Sequence, residues 1–476
     1  MKIRHGLVLT LAMAFGLSGC AGGGASSGAT SSGPSVPGGE LIRQGERPRE
    51  TDDTRAAQRA LEEAEESADD AQAEALYHQA LASAEAAIAA DSTNPLAYRL
   101  ASMASMGLDD YEDADTYLTR AEELRPIYTL ETEGIREQAW INLYQQAAPL
   151  VNAGQYEEAA EIFEKANHIY DRRPEVMLTL GQIYAQLRRH DESLANLDRA
   201  MEIIDSDIAQ EMDSATVASW NEQAETVPLL RAQVLADAGR FEAAAVAYRA
   251  LVAENPTDVS LARNLAAILV QMGDNDEAFL VYEDLMNRPD LTSGDYYNIG
   301  VGFYQGSDYE RAAQAFSEAA ERSVNDRDAI EMWARSLQLD SAYAAIPPAG
   351  DRWIELDPKN RNAYLILAQA VNQQGDDDRA RELIEAIEAL EVMVSDLQIT
   401  RSLDGGAQVN GTITNNTLSE GTSVTMHFTF YDEAGTTIGT ADHTVAVGAE
   451  GVAEPFTVDF SSASYVGGYG YTLDVS

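Results

Sequence analysis

An all-α solenoid of about eight or nine helix-turn-helix units, followed by a small all-β sandwich, is the fold class this sequence predicts. Three observations carry the expectation. The residues Ala244, Ala278, Ala312, Ile346 and Ala380 stand 34 apart, as do Ala80 and Ala114, and Ala159 and Ser193. Apolar residues follow them by four and seven places, which puts all three on one helical face. After Leu390 this spacing gives way to strict alternation, the mark of half-buried strands.

The chain opens with Lys2 and Arg4, an apolar run from Gly6 to Leu17, then Ser18, Gly19 and Cys20. This reads as an export signal over residues 1–19, its apolar stretch too short to span a bilayer. The run Leu17-Ser18-Gly19-Cys20 resembles the lipobox of bacterial lipoproteins. That resemblance implies cleavage before Cys20, acylation of its thiol, and anchoring in a lipid bilayer. Ala21 rather than aspartate follows the cysteine, which implies the outer membrane in a cell that has one, on its periplasmic face or at the cell surface. Residues 20–51 are expected to form the lipidated cysteine and a flexible tether, since Ala21 to Gly39 is nearly all Gly, Ser, Ala, Thr and Pro.

Composition narrows the function. The 476 residues carry 79 acidic and 32 basic side chains, a formal charge of -47. Removing residues 1–19 takes away Lys2 and Arg4 and no acid, and brings the charge to -49. So negative a surface repels phosphate backbones and excludes a general electrostatic hold on nucleic acid. The single cysteine excludes an internal disulfide framework.

The solenoid is expected over 52–390. Segments such as Phe241-Glu242-Ala243-Ala244, Asn275-Asp276-Glu277-Ala278 and Tyr309-Glu310-Arg311-Ala312 each follow a Gly/Asp turn and open the second helix of a unit. First helices carry a small residue beside an aromatic, as in Leu180-Gly181 with Tyr184 and Ile299-Gly300 with Phe303, so that paired helices can approach closely. Units of 34 residues with this consensus resemble the tetratricopeptide repeat (TPR) family. Three places depart from it: the interval from Ala114 to Ala159 is 45, that from Ser193 to Ala244 is 51, and the unit at Ile346 has Pro347, Pro348, Gly350 and Trp353 where packing residues belong. Helix pairing is expected to falter in that last unit.

The β-domain is expected over 391–476. Val424, Met426, Phe428 and Phe430 face one way, and Thr425, His427, Thr429 and Tyr431 the other. Further strands are expected at Asp396–Ser402, Ala407–Thr414, Thr436–Thr440, Asp442–Val447, Phe456–Phe460 and Tyr469–Val475. The stretch Val409-Asn410-Gly411-Thr412, with Phe428-Thr429-Phe430-Tyr431-Asp432, looks like the FxLYD type of immunoglobulin-like module of bacterial envelope proteins. This tail holds eleven acids and one base, Arg401.

No nucleophile elbow, phosphate loop or His-Glu-x-x-His pair occurs in the sequence, so no catalytic residue, metal site or cofactor is expected. His78, His168 and His190 read as solvated helix residues. His427 and His443 share the β-domain, but the hairpin is expected to set His427 near Thr440, which leaves no metal pair. Acidic turns at Asp109-Asp110, Asp274 with Asp276, and Asp376-Asp377-Asp378 read as helix caps.

The TPR resemblance implies a concave groove lined by first helices. It puts Asn152, Gln186, Gln271, Gln305 and Gln373 at one recurrent place, the end of each first helix, with Gln182, Gln233 and Gln369 one turn earlier and Tyr144, Tyr297 and Tyr304 on the same face. Amides both donate to and accept from a peptide backbone, so this ladder suits an extended chain. The resulting expectation is a membrane-anchored, non-catalytic scaffold of the bacterial envelope that binds an envelope protein or peptide, basic segments being steered by the acidic surface. A different reading is a solute-binding lipoprotein similar to the SusD-like nutrient receptors. The regular repeats and the few tryptophans, Trp140, Trp220, Trp333 and Trp353, weigh against it.

Overall fold

A computed structural model describes residues 43–402 and 405–476. The expected signal, Cys20 and the first part of the tether lie outside the described residues. The chain divides into two compact units, Met1–Gly239 and Arg240–Ser476.

In the first unit four antiparallel hairpins follow one another: α1 (Asp52–Glu65) with α2 (Asp70–Ala90), α3 (Pro95–Gly107) with α4 (Tyr111–Leu124), α5 (Thr129–Asn152) with α6 (Tyr156–Ile169), and α7 (Pro174–Gln186) with α8 (His190–Ile204). The short α9 (Asp207–Glu211), α10 (Ser214–Ala224) and α11 (Val227–Asp237) complete it. Both long intervals have a structural cause. Helix α5 has 24 residues against 13 in α3 and α7, which absorbs the extra eleven. The second insertion makes α9 and α10, and α10 lays Trp220 into a core formed by Met177, Leu178, Leu197 and Ile203, its indole N–H donating to Glu175 Oε1 at 2.9 Å.

Residues 44–51 do not behave as free tether. Arg49 N–H donates to Asn94 Oδ1 at 3.0 Å, and Asn94 Nδ2 returns a bond to the Arg49 carbonyl at 2.8 Å. Glu46 N–H donates to the Leu124 carbonyl at 2.7 Å. Helix ends leave polar groups unsatisfied, and this strand of chain supplies partners for them.

The second unit holds α12 (Phe241–Glu254) and four hairpins: α13 (Val259–Met272) with α14 (Asn275–Met286), α15 (Ser293–Gln305) with α16 (Tyr309–Arg322), α17 (Arg327–Leu339) with α18 (Ile346–Leu356), and α19 (Arg361–Gln373) with α20 (Asp377–Glu388). The expected pause at Ile346 does not occur. Prolines 347 and 348 fall in the first turn of α18, where their missing N–H groups cost nothing, and Trp353 is fully buried. The small residues act as expected: a Cβ on Gly300 would lie 2.8 Å from the Phe316 ring, and one on Gly181 2.5 Å from Leu197.

The tail is all-β: β1 (Val392–Arg401), β2 (Ala407–Asn415), β3 (Ser423–Tyr431), β4 (Thr437–Ala446), β5 (Ala453–Phe460) and β6 (Gly468–Val475). They form two antiparallel three-stranded sheets, β1-β2-β5 and β4-β3-β6. Val392, Val394, Val409 and Ile413 of one sheet share a core with Val424, Met426, Phe428 and Phe430 of the other. The first strand begins earlier than expected because a bulge between Ser395 and Gln398, with Asp396 at φ 54°, breaks its alternation. The two segments expected as separate strands at 436–447 form the single β4, none of whose residues is fully buried, so its pattern is faint.

This β-module docks on the loops before α17 and α19. Arg327 and Asp357, both nearly inaccessible, pair at 2.7 Å, and the Tyr471 hydroxyl donates to the other Asp357 oxygen at 2.8 Å. Burial and then the Asp357 carboxylate push the Tyr471 phenol well above its ordinary value, so it remains a donor. Arg401, the only base of the tail, donates to the Val466 carbonyl at 2.8 Å and pairs with Asp326 at 3.1 Å. Backbone bonds join Val324 N–H to the Glu433 carbonyl, Tyr469 N–H to Asn325, and Val394 N–H to Lys359. Only glycine fits at 468, where a Cβ would meet the Asn325 carbonyl at 1.9 Å.

The repeat packing makes opposite predictions for two kinds of glycine. Gly300→Ala should destabilise by about 1–3 kcal/mol through overpacking, although alanine is the better helix former. Gly134→Ala, in α5 with open space around it, should stabilise by about 0.5–1 kcal/mol. Urea unfolding of the two variants beside the parent protein checks both signs.

Candidate functional site

The ends of the first helices recur in one local geometry. Two residues beyond Asn152, Gln186, Gln271, Gln305 and Gln373 the backbone enters the left-handed region, at Gly154 (φ 73°), Arg188 (59°), Gly273 (84°), Ser307 (67°) and Gly375 (83°). The turn stops each helix and leaves its last full turn, with the amide on it, at the surface. All five amides are exposed, and none makes a side-chain hydrogen bond within the described residues. Asn152 and Gln186 belong to the first unit; Gln271, Gln305 and Gln373 belong to the second, in which α13 packs against α15 and α17 against α19.

One turn earlier the positions differ. Gln182 and Gln233 are half-buried and unbonded. Gln369 is taken up internally: it accepts from Gln338 Nε2 at 2.7 Å and donates to the Tyr343 hydroxyl at 3.3 Å. At the end of α17 the same place is held by Leu339, 47% exposed and followed by left-handed Ser341. Sequence reading passed over Leu339 because it is not an amide, though the 34-residue interval from Gln305 pointed to it.

The tyrosines separate into structural and surface groups. Tyr144 is buried, stacked on Trp140 with centroids 5.2 Å apart and packed on Phe163 at 5.5 Å. It fills the α5–α6 hairpin between Trp140 and Phe163 and offers no open contact area. Tyr297 is half-buried with its ring edge-on to Phe316 at 5.4 Å. Tyr304 meets Tyr309 edge-on at 5.4 Å. Beside it an open cavity of about 350 Å³ is lined by Phe279, Gly306, Asp308, Tyr309 and Leu339. The Phe279 and Tyr309 rings, the Gln305 amide and the carboxylates of Asp308, Glu310 and Asp340 therefore meet at the α15–α16 turn, a largely polar and acidic lining suited to a backbone and to a basic side chain.

A second cleft, of about 570 Å³, lies in the first unit among Asp115, Glu122, Glu133, Arg136, His168 and Arg172. Both of its arginines are engaged by carboxylates. Arg136 pairs with Asp115 and, at 3.4 Å, with Glu122, and Arg172 pairs with Glu133 and Glu211. Among the described residues no group of three His, Cys, Asp or Glu is placed to hold a metal ion.

The histidines behave differently from expectation in two places. His190 is half-buried with Nδ1 shielded and unpaired, so it is not simply solvated. In the β-module His427 pairs with Asp442, not Thr440, since the β3–β4 register runs Thr429 to Thr440. The turn is one residue longer than expected, with Tyr431 opposite Thr437, and a bulge at Phe430/Tyr431 shifts the register by one more. His443 stands opposite Met426 on the other face of the sheet, away from His427. His427 Nδ1 lies 2.8 Å from Asp442 and Nε2 3.3 Å from Asp474, so one imidazole links three strands. The acidic turns cap as expected at Asp110 and Asp376, which accept from Asp113 N–H and Arg379 N–H at 3.1 Å. Asp274 makes no such bond.

Of the tryptophans, Trp140, Trp220 and Trp353 are buried in repeat packing and present no ring for stacking on a sugar. Among the described residues no helix is long and apolar enough to cross a membrane.

Residues 150–216 and 235–288 match the tetratricopeptide repeat family. Comparison with curated proteins gives no match. Among solved structures, the C-terminal part of a TPR repeat-containing protein from Cytophaga hutchinsonii is 19% identical, covering 52% of this chain and 95% of that one at a TM-score of 0.40. A tetratricopeptide repeat protein from Parabacteroides merdae is 18% identical, over 60% and 99% of the chains, at 0.27. YrrB, described as a TPR protein with an unusual peptide-binding site, is 17% identical, over 40% and 90%, at 0.30. Within residues 150–216 and 235–288 the helical hairpins thus match the TPR repeat, whose general role is protein–protein interaction.

The hydrogen bond to Asp442, its charge, and then Asp474 raise the His427 pKa above its ordinary value of about 6.5. A raised folded-state pKa stabilises fully below the unfolded value and is lost as pH climbs through the folded one. The stability difference between the parent protein and His427→Gln should therefore shrink as pH rises from about 6 through 8. Thermal unfolding across that range checks the direction.

Proposed function

We propose that this chain is a lipid-anchored, non-catalytic scaffold of the bacterial cell envelope that holds an extended segment of a partner protein along the ends of its first helices. The observation that carries the reading is the repeated amide: exposed, without an internal partner, and set two residues before the same left-handed stop in five hairpins. Amides in that setting bond a peptide backbone in either sense and tolerate many side chains. The cavity beside Gln305, lined by Asp308, Glu310 and Asp340 beside the Phe279 and Tyr309 rings, gives a basic side chain of the bound segment an acidic seat. The formal charge of -47 favours a segment bearing lysine or arginine, with association slowing as salt rises.

The anchor rests on Leu17-Ser18-Gly19-Cys20 and the signal before it. Acylation of Cys20 by more than one chain gives stable attachment where a single chain gives only marginal binding. The β-module, read as an immunoglobulin-like module of the FxLYD type from its Phe428-Thr429-Phe430-Tyr431-Asp432 run, supplies a second contact surface.

Full-length protein used as bait on solubilised envelope, with Gln271, Gln305 and Gln373 of the second unit changed together to Ala, tests the groove. Three lost hydrogen bonds at about 0.5–1.5 kcal/mol each should weaken capture of the partner at least tenfold. Unchanged capture contradicts the amide ladder. Separately, Cys20→Ser should move the chain from the membrane fraction to the soluble fraction.

A further inference from the structure

The two sheets of the β-module present four edge strands, and three of them are closed to further pairing. In β1 the bulge between Ser395 and Gln398 breaks the ladder, with Asp396 left-handed, and the Val394 N–H is taken by the Lys359 carbonyl at 3.0 Å. In β5 Pro455 leaves the strand without an N–H at that position. In β6 the Tyr469 N–H donates to the Asn325 carbonyl at 3.1 Å, and the strand packs on α17 and α18. The fourth edge, β4, has none of these devices over most of its length. From Gly439 to Ala446 its register against β3 is unbroken and contains no proline, and its one charge, Asp442, is held by His427 on the outer face of the sheet.

The backbone groups that β4 offers follow from the alternation of an antiparallel ladder. The Ser476 N–H donates to the Ser423 carbonyl, so Ser423 turns toward β6 and Val424 toward β4. Val445, opposite Val424, therefore bonds to β3, and Thr440, Asp442 and Thr444 direct their N–H and C=O groups to the free side. Among the described residues no backbone bond reaches β4 from that side. Strand β5 meets β4 through side chains that cover the core: Phe460 packs at Gly439, and the Phe456 and His443 rings lie with centroids 5.7 Å apart.

A row of alternating donors and acceptors at strand spacing is matched by another extended backbone. Charge decides whose. The module carries eleven acids against one base, so a second copy would bring two acidic modules edge to edge, while a strand bearing lysine or arginine is attracted. We infer that β4 is a strand-addition edge, which takes an extended basic segment of a partner protein as the fourth strand of the β4-β3-β6 sheet. This places the second contact of the β-module and rests on that reading, but it is independent of the amides at the first-helix ends.

The probe is a labelled peptide of alternating threonine and lysine, as long as β4. It is compared with a threonine and glutamate counterpart, and with the same lysine peptide N-methylated along its backbone, which keeps the charge and cannot donate. Fluorescence anisotropy with the full-length chain should show the unmodified lysine peptide binding at least tenfold more tightly than either counterpart. In the complex the amides of Thr440, Asp442 and Thr444 should gain at least tenfold protection from hydrogen exchange, while those of Ala441, His443 and Val445, already bonded to β3, change little. Thr444→Pro removes one edge donor and should weaken binding at least tenfold, whereas Thr444→Val keeps the donor and should bind as the parent does. The protection pattern of the parent chain decides the matter without the proline variant, should that variant fail to fold. Gln271→Ala with Gln305→Ala and Gln373→Ala should leave the affinity for this peptide unchanged. Equal binding of the N-methylated peptide, or binding that leaves Thr440, Asp442 and Thr444 unprotected, overturns strand addition while keeping the module as a contact surface. Protection appearing nowhere in the module overturns both. Concentration-dependent protection of the same amides in the parent chain alone would assign the edge to a second copy and overturn the basic partner.

Discussion

A buried ion pair capped by a phenol holds the C-terminal unit together. Arg327 opens and Asp357 closes the α17–α18 hairpin of the solenoid, and Tyr471 comes from the last strand of the β-module. An isolated charge at that depth would cost several kcal/mol, and the pair is tolerable because both oxygens of Asp357 find donors: Arg327 and Asn360 on one, Tyr471 on the other. The interaction therefore couples the helical and β-structures instead of merely joining them through a linker. Arg401 and Asp326 repeat the arrangement nearby, and the glycine at 468 lets the backbones approach closely enough for both to form.

This docking has a consequence for binding. The β-module does not sit at the end of the solenoid, where a capping element would be expected, but against the loops before α17 and α19. The first-helix ends of the second unit remain exposed, and so does the last second helix. Two different surfaces are thus left uncovered by the β-module, one bearing exposed amides and one on α20, which has no buried residue.

The solenoid was largely legible in the sequence because its signal is repeated: one 34-residue interval recurs with the same small and apolar residues on one face. The alternation of Val424, Met426, Phe428 and Phe430 was legible for the same reason, since one strand buries a whole face. What sequence could not show were features that occur once. Helix α10 is too short and its apolar content too concentrated in Trp220 to display a period. The bulge at Asp396 interrupts β1 just where a pattern would have started. The docking cluster joins residues up to 144 positions apart, and its only trace was that Arg401 is the lone base in an acidic tail. At the candidate site the amide positions followed from the repeat, while the burial of Tyr144 depended on its packing between Trp140 and Phe163, and the internal use of Gln369 on a contact with the neighbouring helix.

The rigid attachment of the β-module through Asp357 and Tyr471 is open to a direct measurement. Hydrogen-exchange opening free energies of the β6 amides in the full-length chain would be compared for Asp357→Asn, Tyr471→Phe and the double variant. A shared buried interaction predicts a coupling of about 0.5–3 kcal/mol between the two changes, with Val324 to Asp326 losing protection alongside β6. Strictly additive effects, with β6 opening independently of those loop residues, would contradict it.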